Sequence, residues 1–73
     1  HHAARAQAHR EALAVGPRTA YEVTLAVYRP DLDPGRRRLA VSETLAHLAR
    51  LEARGEVRGV HDRDGRVRYV LET

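Results

Sequence analysis

Residues Arg36–Arg54, RRRLAVSETLAHLARLEAR, carry the pattern on which the fold turns. Val41, Leu45, Leu48 and Leu51, with Thr44 beside them, recur at helical spacing, so a long amphipathic helix over about 36–54 is predicted with this stripe facing the core. The outer face shows a polar stripe of Glu43, His47, Arg50 and Arg54. Every other segment is short and must pack against this helix.

Upstream, Asp31-Leu32-Asp33-Pro34-Gly35 reads as a turn, with Asp33 as N-cap and Pro34 at the first helical position. Before it, Thr19-Ala20-Tyr21-Glu22 is a Thr-x-x-Glu capping box that opens a helix over about 20–28. Tyr21, Leu25 and Tyr28, with Val23, Ala26 and Val27 beside them, form its apolar side, and Arg29-Pro30 stops it. Gly16-Pro17 ends an earlier helix over about 3–15. That first helix is rich in strong formers but poor in bulk: Ala6, His9 and Leu13 share a face with Ala8 and Ala12 alongside. Because it buries mostly methyl groups, it is expected to lean on something outside these residues.

Downstream of Gly55 the period changes from 3.6 to 2. Strands are predicted over about 57–61 and 66–71, joined by Asp62-Arg63-Asp64-Gly65, which fits a type I turn followed by a left-handed glycine. That loop sets Val57 opposite Leu71 and Gly59 opposite Tyr69. Val57, Val67, Tyr69 and Leu71 then face the helices, and Arg63, Arg66 and Arg68 sit at the tip and on the outer face. Three helices followed by a β-hairpin make an α+β, mainly α, winged helix-turn-helix, with Arg18-Thr19 available as a short first strand. Residues 1–73 are read as a single domain of that kind.

Composition narrows the function classes. A chain of 73 residues supports one modest core, burying only ~60% of its unfolded surface. It has no cysteine, which removes disulfides and thiolate zinc sites and makes a reducing, cytoplasmic setting the default. No apolar run is long enough to span a bilayer, and no secretory leader is present. All 13 basic residues are arginine. The first 35 residues balance four Arg against four acids, so the net charge of +3 lies in the second half.

The candidate chemical residues offer no reactive centre. His1, His2, His9, His47 and His61 lack the spacing of a metal site, which needs three or four convergent ligands. His1 and His2 also fit the remnant of a purification tag. His9 reads as a packed histidine with its polar tip hydrogen-bonded, and His47 as a solvated partner of Glu43, or alternatively a contact to another domain. Ser42 has no triad partners at recognisable spacing, and the glycines build no phosphate-cradling loop.

Two surfaces carry functional weight. Arg36, Arg37, Arg38, Arg50 and Arg54 on the long helix, with Arg63, Arg66 and Arg68 on the hairpin, are the candidate nucleic-acid contacts. Against that use, cations in a first helical turn oppose the helix dipole and Glu43 would face phosphates. Ser42, Ala46, Ala49 and Ala53 form a stripe of small residues which, with His47, is the candidate docking face for another domain or a twin subunit. The plainer alternative is that this stripe packs on the Ala-rich first helix within the domain.

A resemblance adds to these readings. Gly16-Pro17-Arg18-Thr19-Ala20-Tyr21-Glu22-Val23, Leu25 to Tyr28, Asp31-Leu32-Asp33-Pro34, Leu45-Ala46-His47-Leu48, Leu51, Gly55-Glu56-Val57 and Arg68-Tyr69 together resemble the winged-helix domain that follows the catalytic domain in a branch of metallo-β-lactamase-fold hydrolases. The resemblance spans nearly the whole chain. It implies a C-terminal accessory domain without a catalytic or metal site, whose partner is its own N-terminal hydrolase domain. In such proteins that domain holds zinc through a His-x-His-x-Asp-His motif, which these residues lack, so no cofactor is expected in this fragment. The implied role is to shape substrate access or to form a homodimer; the alternative is a DNA- or RNA-binding module of a regulator or nuclease.

Overall fold

A computed structural model of the chain describes residues 2–72, without the side chains of residues 2 and 3; the His1-His2 tag reading lies outside the described side chains. The element order is α1 (His2–Leu13), β1 (Arg18–Thr19), α2 (Ala20–Val27), α3 (Pro34–Ala53), β2 (Val57–His61) and β3 (Val67–Leu71). This is the predicted α+β, mainly helical, winged-helix-like arrangement. The strand order is β1-β3-β2, all antiparallel, so Arg18-Thr19 does form the short first strand.

Local chemistry sets the element ends. The Thr19 hydroxyl accepts from the Glu22 backbone N–H at 3.2 Å, while the Glu22 carboxylate accepts from the Thr19 N–H at 2.8 Å, closing the capping box. The bond from that N–H holds the Glu22 carboxyl below its usual range. Asp33 caps α3 by accepting from the Arg36 N–H at 2.9 Å, with Pro34 at the first position. The first helix stops at Leu13, short of the predicted end at residue 15. Its last turn tightens through i to i−3 bonds, Ala14 N–H to Glu11 O and Gly16 N–H to Leu13 O, both 3.1 Å.

The hairpin follows the predicted register, with Val57 opposite Leu71 and Gly59 opposite Tyr69. In its loop the Asp62 carboxylate accepts from the N–H groups of Asp64 (2.9 Å) and Arg66 (3.1 Å). Gly65, at φ 80°, takes the left-handed turn position. Gly59 has a separate reason to be glycine. Its N–H donates to the Glu52 carboxylate of α3 at 3.1 Å, and a Cβ there would lie 3.1 Å from a Val67 methyl.

The core consists of Ala12 and Leu13 from α1, Val23 from α2, Leu48 and Leu51 from α3 and Val57 from β2, with Val27, Tyr69 and Leu71 packed against it. Two predicted faces are corrected. On α3 the buried positions are Ala40, Thr44, His47, Leu48 and Leu51, whereas Leu45 remains 45% exposed and Val41 is half-buried. On α2 the buried positions are Val23 and Thr24, leaving Tyr21 and Leu25 about half exposed. Both rotations have one cause. The helices meet through small polar side chains, with Thr24 Oγ1 hydrogen-bonded to Thr44 Oγ1 at 2.9 Å in a buried contact, and Thr24 also donating to the Ala20 carbonyl. Threonines let the axes approach more closely than leucines would, and the bulky residues turn to the flanks.

Helix α1 has an anchor inside the chain that the reading of its apolar face did not supply. Fully buried His9, together with Ala12 and Leu13, fixes it against α2 and α3.

Candidate functional site

Two places bring the singled-out residues together: a buried imidazole pair, and an open groove beside the start of α3. At the first, α1 delivers His9 onto His47 of α3, the rings stacked with centroids 4.6 Å apart, while Tyr28 of α2 meets His9 edge-on at 6.0 Å. His47 is buried, not on the solvated outer stripe; successive helical residues rotate by about 100°, which sets it beside Thr44 and Leu51 rather than Ala46. Arg50 donates to His47 Nδ1 at 3.1 Å.

His9 Nδ1 lies 2.7 Å from the Arg5 carbonyl, so Nδ1 carries the proton, and among the described residues its buried Nε2 has no hydrogen-bond partner. Burial lowers the His9 pKa below the ordinary histidine value. Around the pair, the Arg5 guanidinium lies 4.7 Å from the Tyr28 ring centre, and the Tyr28 hydroxyl donates to Glu43 at 3.1 Å. Burial and that carboxylate raise the Tyr28 pKa. Stacked rings do not aim two lone pairs at a common centre, and among the described residues no three His, Cys, Asp or Glu side chains are placed to hold a metal ion. The residues present therefore do not fit a zinc site. Sequence reading caught the burial of His9 but missed its partner, because a contact between residues 9 and 47 leaves no local signal.

The candidate arginines differ in what they engage. Arg36 pairs with Asp33 at 3.7 Å, Arg54 with Glu56 at 3.0 Å and Arg68 with Asp62 at 3.4 Å. Arg37 donates to the Leu32 carbonyl at 3.2 Å. Arg38, Arg63 and Arg66 are exposed.

Ser42, Ala46, Ala49 and Ala53 are all exposed, so the small-residue stripe does not pack on α1. Leu39, at 67% exposure, and Leu45 flank it. Beside it, Tyr21, Pro34, Arg37, Arg38, Val41 and Ser42 line an open groove of about 580 Å³. Tyr21 also borders a second cleft that contains Glu22, Arg66 and Val67. Exposed Tyr21 is thus common to both grooves, one lined also by Arg38 and the other by Arg66.

Residues 7–72 match the family described as metallo-beta-lactamase-like, C-terminal domain. Among solved structures, a beta-lactamase domain protein from Burkholderia ambifaria is similar with a TM-score of 0.86 at 35% identity; the match covers 97% of this chain and 21% of that one. No curated protein matches the chain. The chain thus spans about a fifth of the length of that solved relative, and by its match over residues 7–72 it belongs to the metallo-β-lactamase-like C-terminal domain family.

Proposed function

We propose that this chain is the non-catalytic accessory domain of a metal-dependent hydrolase of the metallo-β-lactamase fold, packed on the catalytic domain and helping to shape substrate access. The observation that carries the reading is the pair of coverages: nearly all of this chain corresponds to about a fifth of a β-lactamase domain protein. Zinc and the hydrolytic chemistry then belong to the preceding domain. A cytoplasmic setting accords with the absence of cysteine, and among the described residues no helix is long and apolar enough to cross a membrane.

The test is the full-length gene and its product. The reading frame upstream of these residues is expected to encode His-x-His-x-Asp-His, and the purified product to hold zinc that is retained when His47 and His61 are replaced together by glutamine. An upstream frame without the motif, or zinc lost with those two histidines, contradicts the proposal.

A further inference from the structure

We propose that the shelf formed by Tyr21 of α2 and Arg38, Val41, Ser42, Leu45 and Ala49 of α3 is the surface on which the parent's catalytic domain seats, through an apolar segment of that domain that also carries carboxylates. This assignment rests on the accessory-domain reading and adds to it the face and the chemistry of the contact.

Exposure makes the first part of the argument. Tyr21 is 48% and Leu45 45% exposed; Tyr21 lines the groove with Val41 and Ser42, and Leu45 lies one helical turn beyond Val41. Large apolar side chains gathered beside a groove mark an interaction surface, whereas isolated ones do not. Ser42 and Ala49 keep the middle of the shelf low, so an apposed backbone can approach α3 closely.

Charge makes the second part. Tyr21 lines one groove with Arg38 and a second with Arg66, and among the described residues neither guanidinium is paired with a carboxylate. An occupant bearing acids would satisfy them. A second copy of this chain brings as many of these arginines to the contact as it meets, so it adds no net negative charge to offset them.

Connectivity makes the third. The similar solved chain has 79% of its length outside the match (100% less the 21% covered). A tethered domain competes for an exposed face at roughly millimolar effective concentration, so even a modest apolar contact stays occupied. Of the exposed residues Leu39, Ser42, Leu45, Ala46 and Ala49 along this side of α3, only Ser42 carries a hydrogen-bonding side chain, which suits a protein surface better than a nucleic-acid groove.

The test uses single thiols in the full-length protein, since these 73 residues contain no cysteine. Ser42→Cys and Ala49→Cys report the shelf, Arg63→Cys the hairpin tip and Glu11→Cys the outer side of α1. Native maleimide labelling rates are compared with rates in denaturant, after subtraction of the unsubstituted protein. Ser42→Cys and Ala49→Cys should label at least about tenfold more slowly than Arg63→Cys, at every protein concentration. Equal rates at Ser42 and Ala49 with protection at Arg63 or Glu11 overturn the face but leave accessory packing standing. Equal rates at all four sites overturn both. Protection lost on dilution to monomer, or appearing only with added RNA or DNA, assigns the shelf to a different occupant and overturns the proposal.

Discussion

His9 is the residue whose chemistry departs furthest from its sequence surroundings. It sits on an alanine-rich helix with one ring nitrogen bonded to its own backbone turn and the other buried with no hydrogen-bond partner among the described residues. Its pKa is lowered by burial, so the folded state holds the neutral ring at pH values where the unfolded chain takes up a proton. The stability due to this neutral ring is complete above the unfolded value of about 6.5 and falls as the pH drops below it toward the folded value. A thermal melt series from about pH 7.5 to 5.5 should therefore show Tm falling on acidification, and His9→Leu should flatten that fall. A slope unchanged in the variant would remove His9 from the explanation.

Gly59 is a second residue-scale constraint, and a steric one. A β-branched side chain there adds methyls to a Cβ already 3.1 Å from Val67 and 3.5 Å from the Glu52 carboxylate. Gly59→Val is expected to cost about 1–3 kcal/mol in urea unfolding, and a double-mutant cycle with Val67→Ala should recover part of it.

At the scale of elements, what was legible was whatever is encoded locally. Thr19-x-x-Glu22, Asp33-Pro34, Gly55 and Asp62-x-x-Gly65 each satisfy backbone groups within four residues of themselves, so sequence alone sets the helix starts and the hairpin register. Each of Thr19→Ala and Asp33→Ala should lower unfolding free energy by about 1 kcal/mol, read from the denaturant midpoint with an unchanged slope. What sequence could not provide was the rotation of α2 and α3 about their axes. Hydrophobicity favours Leu45 and Leu25 facing inward, yet the crossing is made through Thr24 and Thr44 and those leucines are left exposed. For the same reason the small-residue stripe could not be placed: it lies opposite the buried face, and only the packing of α1 through His9 and Leu13 shows which side of α3 is taken.

Across the whole molecule, the arrangement is a helical scaffold with a short sheet whose polar groups mostly serve caps, turns and surface ion pairs. Nine arginines follow residue 35, and six of them, Arg36, Arg37, Arg50, Arg54, Arg58 and Arg68, are engaged with Asp33, Leu32, His47, Glu56, Glu72 and Asp62 respectively. The same surface leaves Tyr21, Leu39 and Leu45 exposed, and the matched family is described as a C-terminal domain; the proposed docking shelf rests on these two facts together. The candidate nucleic-acid residues were recognisable by type alone; their acidic partners could be known only from the fold. Basic side chains already paired with carboxylates have less charge to offer phosphates, and affinity for nucleic acid scales with the number of phosphates neutralised together.

The most direct measurement is a titration of the full-length protein with duplex DNA and single-stranded RNA from about 50 to 200 mM salt, repeated with Arg36, Arg38, Arg63 and Arg66 all changed to glutamine. A packing domain predicts weak binding with a shallow salt slope that the four substitutions do not change. Tight binding at low salt that falls about a thousandfold across that range, and that the four substitutions abolish, would contradict the account.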